Sequence, residues 1–518
     1  MRQARQIFRD AILLTLASLL MRTVGIAFQV YVSNRVGAEV MGLYSLMAGV
    51  YGFALTLATS GIHLGVTRIV AELLSFQNQK KINGFMRTAF LYALICGCAS
   101  AFLLFSFAPT IGHRWISDQR AIASLRIFAL SLPFVSISSV FGGYLTAIRK
   151  SYKSAGLQVA EQFVKIALTM LLFSLFPSPS TEALLCLLVL GGVSAEIISF
   201  LAGCVVLWLD RSHSDTPPHE KVTLSGGKEL LKITLPMAFT SYCRSGLLTL
   251  QHVLIPKCLR KSGASHTTAL TSYGCIQSMT LPVVLFPAAL IASFSGLLIP
   301  TMAECHAQKR HRQIAYITSR VWFFAMLYSI GTAGILICFS QELGSILYPN
   351  TDTAKYIRLL SPLIPIMYLD TATDAMLKGL GEQNYSMKIN VLDALISVIL
   401  VWIFVPLFGI DGYLISIYVS ELFNTVFSVT RLLSISKTSP KIFKWVLQPL
   451  FCILVATYSA SFLISKIRFL NGVSAMHVTI HCIFTALIYF GCLILTKTLN
   501  REERFWSKSL LSFKETTV

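Results

Sequence analysis

The stretch from Ala11 to Val32, AILLTLASLLMRTVGIAFQVYV, is a long apolar run with one arginine, Arg22, near its middle. It has the length of about 20 residues that an α-helix needs to cross the hydrocarbon core of a bilayer. A charged side chain at that depth costs about 2.5–3.5 kcal/mol, so it normally faces the protein interior, a partner or water. This stretch therefore predicts a membrane-spanning helix whose arginine faces a polar space.

A second run, LLKITLPMAFTSYCRSGLLTLQHVLI from Leu230 to Ile255, places Arg244 at a comparable depth. The whole chain has the same character, because 55% of its 518 residues are hydrophobic and 13% are charged. An ordinary soluble protein has about 25% charged residues. The composition therefore predicts an all-α integral membrane protein.

Apolar runs of spanning length predict about fourteen transmembrane helices. They lie near residues 11–32, 41–68, 87–108, 121–147, 156–176, 183–209, 230–255, 273–301, 314–340, 356–380, 388–408, 409–432, 443–466 and 473–497.

Lys and Arg are concentrated in alternate segments between these helices, beginning with Arg2, Arg5 and Arg9 before the first one. Such an excess marks the cytoplasmic side of a membrane protein. The pattern predicts a multi-pass protein of the cell membrane with both termini in the cytoplasm. The net charge of +20 is mostly this topological signal, and with no sizeable soluble domain to carry a basic surface we expect no nucleic-acid partner.

Polar residues recur at matching depths in two halves of the chain, which indicates an internal repeat. Matched pairs are Arg22 with Arg244 and Gln29 with Gln251 at an offset of 222, Gly42 with Gly274 and Glu161 with Asp393 at 232, and Glu196 with Glu421 at 225. Each half holds six helices, and an even number gives both halves the same orientation. We therefore expect two pseudo-symmetric six-helix lobes with a cavity between them.

The repeat also sets the expected domain boundaries. Residues 1–209 form the N-terminal lobe, 210–228 a cytoplasmic linker with Pro217 and Pro218, and 229–432 the C-terminal lobe. Residues 433–518 hold helices 13 and 14 and a cytoplasmic tail.

Arg22 and Arg244 are the leading candidates for substrate binding. The planar, permanently charged guanidinium group suits phosphate, and an anionic headgroup crossing the membrane must replace its hydration shell with such donors. Gln29 and Gln251 match at the same offset and complete the candidate substrate-binding set. The alternative is that each arginine is neutralised by an intramembrane carboxylate for stability.

Carboxylates inside helices make that alternative serious, and Glu161, Glu196, Asp393 and Glu421 are candidates for ion coupling or charge balance. Glu161 with Lys165, and Asp374 with Lys378, are spaced to pair on one helix face. The twelve cysteines lie almost entirely in apolar runs without a zinc-binding spacing, so we expect no metal site and no cofactor beyond coupling to proton, sodium or membrane potential. No motif of a hydrolase or a kinase is present, which argues against an enzyme.

Three segments carry a family resemblance. RTVG at Arg22–Gly25, VGAEVMGLY at Val36–Tyr44 and RIVAE at Arg68–Glu72, with the duplicated plan, resemble the polysaccharide transporter, or oligosaccharidyl-lipid flippase, family. This family belongs to the multidrug/oligosaccharidyl-lipid/polysaccharide exporter superfamily, and the likeness is greatest to its sporulation members.

The resemblance implies a V-shaped exporter fold that moves an undecaprenyl-pyrophosphate-linked saccharide from the inner to the outer leaflet by alternating access. For sporulation members, the implied cargo is lipid II for cortex peptidoglycan. Related flippases use basic residues on helices 1 and 8, and Arg22 matches the first of these. Helix 8 here has no basic residue before its end, so Arg244 on helix 7 would substitute. Implied partners are a lipid-linked anionic saccharide, membrane lipids and cell-wall synthesis enzymes.

Two other classes of function stay open on the sequence alone. A proton- or sodium-coupled antiporter of drugs or metabolites would need a cavity lined by carboxylates such as Glu196 and Glu421. A non-transporting scaffold would recruit wall-synthesis enzymes through its charged termini, and it would keep its function after removal of the cavity charges.

Overall fold

The computed structural model describes residues 2–59, 61–75, 79–148, 150–176, 180–211, 226–349, 352–439, 441–465, 475–496 and 498–499. Within these ranges the regular secondary structure is helical throughout, with no strand. Eleven of the helices there are long and apolar enough to cross a membrane. The predicted all-α membrane fold is confirmed, while the count of fourteen is not.

Nineteen α-helices run through these ranges. They are α1 (Arg2–Val36), α2 (Ala38–Thr59), α3 (Ile62–Ser75), α4 (Gln79–Thr110), α5 (Ala121–Ala147), α6 (Ser151–Leu175), α7 (Thr181–Arg211), α8 (Gly226–Lys261), α9 (His266–Gly274), α10 (Leu281–Leu285), α11 (Ala288–Ala307), α12 (His311–Cys338), α13 (Ser340–Leu347), α14 (Thr353–Leu360), α15 (Ile364–Gly379), α16 (Gln383–Phe408), α17 (Ile410–Ser436), α18 (Gln448–Ser465) and α19 (Ala475–Leu495). Short π-helical turns lie at Ile111–Ile116, Cys275–Thr280 and Phe443–Leu447, and a 3₁₀ turn lies at Ser361–Leu363.

Three predicted helices are interrupted. The predicted helix 41–68 is divided into α2 and α3 at Gly61, whose φ of +77° belongs to the left-handed region that glycine tolerates best. The predicted helices 273–301 and 356–380 are interrupted near Pro282, Pro287 and Pro362, which stand at helix starts. Because proline cannot donate the helical hydrogen bond, the chain restarts its helix there.

The helices form two compact units. The first comprises the described parts of Met1–Ser278 and Met387–Ser420, and the second those of Met279–Ser386 and Glu421–Val518. This grouping differs from the predicted boundary at residues 210–228, so the two six-helix lobes stay a prediction. Residues 212–225 of the predicted linker and residues 500–518 of the predicted tail lie outside the described ranges.

Each unit has its own apolar core. In the first unit, α3 packs on α4 and α5 through buried residues that include Ile62, Val66 and Phe85. In the second unit, Trp322 lies among buried residues of α11, α12 and α15, and its indole nitrogen donates to Thr373 Oγ1 at 3.0 Å. A buried indole N–H needs such a partner, because leaving it unpaired costs free energy.

The last two helices, α18 and α19, pack against α12 within the second unit. Ile453 and Tyr489 are buried there, and the Tyr489 hydroxyl donates to the carbonyl oxygen of Leu327 at 2.9 Å. The predicted C-terminal appendage therefore has a defined place on one helix of this unit.

A close helix crossing in the first unit joins residues that the sequence repeat matches. A Cβ added to Gly42 on α2 would clash with the carbonyl oxygen of Leu270, and one added to Gly274 on α9 would clash with that of Ala38. Ala38 and Leu270 are themselves matched at the offset of 232. The contact therefore joins two pairs of residues that the sequence repeat matches, and the repeat itself stays a prediction.

Candidate substrate and coupling site

Arg22 and Arg244 both present exposed side chains, and both belong to the first unit. Arg22 lies on α1, one turn from Gly25, where a Cβ would be 3.5 Å from the amide nitrogen of Gln162 on α6. In the part of the chain that the structure describes, Arg22 forms no ion pair. An exposed guanidinium without a carboxylate partner keeps its charge available to an anion.

Arg244 on α8 is in a different situation. It is close enough to Asp393 on α16 for the two charges to interact. The Asp393 carboxylate also accepts a hydrogen bond from Ser420 on α17 at 2.5 Å. The sequence left open the alternative that each arginine is neutralised by a carboxylate inside the membrane. Arg244, with Asp393 nearby, fits this alternative.

The matched glutamines differ as well. The Gln29 amide nitrogen donates to the backbone carbonyl oxygen of Ser278 at 2.7 Å, so it holds α1 against the π-helical turn of residues 275–280. Gln251 is half-buried and makes no side-chain hydrogen bond to another described residue. Gln29 has a packing role that its sequence position did not indicate.

Glu196 on α7 is half-buried and contacts α2 and α5. Its carboxylate lies 3.0 Å and 3.3 Å from the Tyr51 hydroxyl, which in turn lies 2.8 Å from Ser131 Oγ. The Tyr51 ring stacks on Phe128 with centroids 4.4 Å apart. Three helices therefore meet at one intramembrane carboxylate, and the sequence indicated only the carboxylate.

Glu161 and Lys165 on α6 form no direct ion pair, although their spacing predicted one. Both instead lie within electrostatic range of Glu196. The Lys165 side chain extends along Gly192 of α7, where an added Cβ would be 3.8 Å from its Cε atom. The predicted ion pair between Glu161 and Lys165 is wrong, because the Lys165 side chain extends along α7 and not along its own helix, α6.

The other predicted pair is present. Lys378 Nζ lies 2.5 Å from the Asp374 carboxylate, which also accepts a hydrogen bond from Ser386. Glu421 is half-buried on α17 of the second unit, and its coupling role stays a prediction. Among the described residues, no group of three or more His, Cys, Asp or Glu side chains is arranged to hold a metal ion.

An ionic clasp between α2 and the segment before α5 was not predicted from the sequence. Arg120 donates to Asp118 and to Glu39, each through Nη2 at 2.7 Å. Burial of the Asp118 carboxyl would by itself raise its pKa, but the hydrogen bonds and charge of Arg120 outweigh burial and lower that pKa. The clasp ties the start of α2 to the turn between α4 and α5.

We expect Asp118→Asn to lower the free energy of unfolding by about 1–3 kcal/mol, because Asp118 is buried and its charged hydrogen bonds are lost. Glu39→Gln, at a more exposed pair, should cost less than about 1 kcal/mol. Because folding lowers the pKa of Asp118, its contribution is present above about pH 4 and disappears as the pH falls through the folded-state pKa. Thermal unfolding of the detergent-solubilised protein between neutral and acid pH measures both effects. Equal unfolding temperatures for wild type and Asp118→Asn at neutral pH would contradict the clasp.

Comparisons with known proteins agree with this architecture. A family model described as polysaccharide biosynthesis protein matches residues 7–306, and a MatE model matches residues 262–403. The chain is 22% identical over 507 residues to stage V sporulation protein B of Bacillus subtilis (strain 168), covering 96% of this chain and 97% of that protein. It is 23% identical over 445 residues to lipid II flippase MurJ of the same organism, with 79% of each chain covered.

Solved structures show the same fold. Lipid II flippase MurJ in an inward closed conformation gives a TM-score of 0.71 at 14% identity, covering 95% of this chain and all of that one. An inward-facing multidrug resistance MATE family transporter of the MOP superfamily gives 0.63 at 15% identity, covering 83% and 99%. These matches confirm the predicted resemblance to the exporter superfamily. Because the first family model spans more than half of the sequence, the chain belongs to the polysaccharide biosynthesis protein family.

Proposed function

We propose that this membrane protein is a flippase that moves an undecaprenyl-pyrophosphate-linked saccharide from the inner to the outer leaflet by alternating access. We further propose that the cargo is lipid II used for spore-cortex peptidoglycan. The observation that carries the proposal is Arg22, an exposed guanidinium on an apolar helix with no ion pair in the described ranges. Its repeat-matched counterpart, Arg244, is exposed in the same unit.

Pyrophosphate is the part of such a cargo that resists crossing the membrane. A desolvated anion needs donors that replace its water shell, and a guanidinium group offers five N–H groups in a planar arrangement. Arg22 would supply the principal contact and Arg244, shared with Asp393, a weaker one. Gln251, with its amide unengaged by described residues, would bind polar groups of the headgroup.

The names of the relatives support the choice of cargo. One is named for the flipping of lipid II and another for sporulation, and the match to the second extends over nearly the full length of both chains. Cell-wall synthesis enzymes are accordingly the proposed consumers of the flipped lipid. The basic residues Arg2, Arg5 and Arg9 at the start of α1 and those after α19 support a topology with both termini in the cytoplasm.

A direct test uses the purified protein in liposomes with a fluorescent undecaprenyl-pyrophosphate saccharide. A membrane-impermeant reductant bleaches only the outer leaflet, so flipping appears as additional bleaching over protein-free liposomes. We expect this additional bleaching for pyrophosphate-linked saccharides and much less for a neutral polyprenyl glycoside. Equal bleaching in liposomes with and without the protein would contradict the proposed flippase function.

A second candidate function is cation-coupled antiport, which the MatE match over residues 262–403 and the intramembrane carboxylates favour. Under this alternative, uptake of cationic dyes should follow a proton or sodium gradient and be lost in Glu196→Gln or Glu421→Gln. Lipid flipping would then be absent from the same liposomes.

A further inference from the structure

A groove of about 530 Å³ lies on the first unit between α4, α5 and α7. The described side chains that line it are apolar apart from one thiol, and they include Phe90, Leu94, Phe141, Phe200, Cys204 and Trp208. All three helices are long and apolar enough to cross a membrane. Because the lining is apolar and Trp208 is 71% exposed, we expect the groove to face hydrocarbon and not water.

The floor of the groove is built from stacked rings. Phe141 is buried, and its ring lies 5.8 Å from the parallel ring of Phe200 and 5.5 Å from the edge-on ring of Phe90. A Cβ added to Gly203 would lie only 2.9 Å from the Phe141 ring, so this glycine lets α7 approach α5 closely. A floor that is already packed binds a flexible chain without having to order its own side chains first.

The length of the groove indicates what it holds. Along α7 it extends from Phe200 to Trp208, which is about 12 Å at 1.5 Å per residue. Trp208 lies in the last turn of α7, so the groove begins near one membrane surface. One leaflet contributes about 15 Å of the hydrocarbon core. The groove therefore fits a chain that stays in a single leaflet, whereas a partner's transmembrane helix would need about twice this length and an undecaprenyl tail is much longer.

A positive charge lies beside the groove. Arg87 on α4 is exposed, and it precedes Leu91 and Leu94 by four and seven residues, which places all three on one face of the helix. It forms no ion pair with another described residue. A guanidinium group suits a phosphate. The basic residues predict that α4 begins on the cytoplasmic side, where the leaflet is anionic.

We propose that this α4/α5/α7 groove binds one acyl chain of an anionic glycerophospholipid, whose phosphate contacts Arg87. The chain lies over the Phe141 floor, and the Trp208 indole lies at the level of the headgroup, where tryptophan is enriched in membrane proteins. This lipid is a bound component of the protein and not its cargo. The proposal therefore does not depend on the proposed flippase function.

Photocrosslinking of the full-length protein in liposomes tests the site without any transport. The probe is phosphatidylglycerol with a photoactivatable group in one acyl chain, and peptide mass spectrometry locates the labels. We expect labels within residues 90–94 and 200–208, and we expect excess phosphatidylglycerol to compete roughly five-fold better than phosphatidylcholine, the effect of one basic residue at an anionic membrane surface. Labels spread over all lipid-facing helices, or better competition by undecaprenyl pyrophosphate, would overturn the proposal.

The headgroup contact is tested with Arg87→Gln. This variant should keep the labels in the groove but lose the preference for phosphatidylglycerol over phosphatidylcholine. Arg126→Gln, at an exposed arginine near the start of α5, should keep the preference. An unchanged preference in Arg87→Gln would contradict the phosphate contact.

The groove itself is tested by filling it. Cys204→Trp should reduce labelling of residues 90–94 at least several-fold, because the larger side chain occupies the space of the acyl chain. Val205→Trp adds a similar bulk at a 54% exposed position next to it that does not line the groove, and it should keep the labels. Thermal unfolding verifies that both variants fold. Wild-type labelling of a folded Cys204→Trp protein would exclude the groove, and the Arg87→Gln experiment decides the proposal should this variant not fold.

Discussion

Replacement of Arg22 by alanine is expected to reduce flipping of the pyrophosphate-linked saccharide by roughly 10- to 100-fold. Hydrogen bonds to charged groups contribute about 1.5–3 kcal/mol each, and about 1.4 kcal/mol corresponds to a factor of ten. Arg22→Lys should lose less, because it keeps the charge but not the planar fork of donors. Arg244→Ala should also lose less, since Arg244 shares its charge with Asp393.

The matched control is Arg126→Ala. Arg126 is also an exposed arginine of the first unit, but it lies near the start of α5 with its guanidinium over the ring of Phe105 at 5.2 Å. This variant should flip lipid at nearly the wild-type rate. Thermal unfolding of each variant separates loss of flipping from loss of fold. Wild-type flipping by a folded Arg22→Ala protein would exclude this arginine from cargo binding.

Alanine at Gly42 or Gly274 is expected to reduce flipping by a similar factor for a different reason. Each added methyl group would meet a backbone carbonyl oxygen of the opposing helix, and backbone cannot move aside as a flexible side chain can. Overpacking of this kind costs about 1–3 kcal/mol, and the cost falls on any state in which α2 and α9 touch. The substitution lowers the population of the state in which α2 and α9 touch, and a transport cycle that passes through this state is therefore slowed.

Gly52→Ala on the same helix provides the control, because a Cβ there would have no atom within 4 Å. It should be neutral or slightly stabilising, as alanine is the better helix former. The double variant Gly42→Ala/Gly274→Ala should lose less than the sum of the two single losses, because either methyl group alone separates the helices. Full additivity, or equal effects of Gly52→Ala and Gly42→Ala, would show that the crossing has no special role.

The fold was predictable from the sequence to a large extent. In the described residues the apolar segments lie mostly on helical backbone, because hydrogen-bond satisfaction in lipid leaves such segments few alternatives. The helix breaks at Gly61 and at Pro282 were harder to predict from the sequence, since glycine and proline also occur inside continuous transmembrane helices. The grouping into two units depends on tertiary packing that the repeat alone does not define.

The candidate site was predictable residue by residue but not as a set of contacts. Glu196 was noticeable as a carboxylate in an apolar run, whereas Tyr51 and Ser131 are ordinary members of other helices. Lys165 was assigned to Glu161 by spacing, and it extends instead along Gly192. Spacing describes neighbours on one helix, while these contacts are decided by which helices pack together.

The central claim is that Arg22 binds a pyrophosphate inside the membrane-spanning part of the protein. Native mass spectrometry of the detergent-solubilised protein with an undecaprenyl-pyrophosphate saccharide measures that binding directly. We expect a bound complex for wild type and Arg126→Ala, and loss of the complex for Arg22→Ala, with a neutral polyprenyl glycoside bound weakly by all three. Equal binding of the pyrophosphate lipid by Arg22→Ala and wild type would contradict the claim.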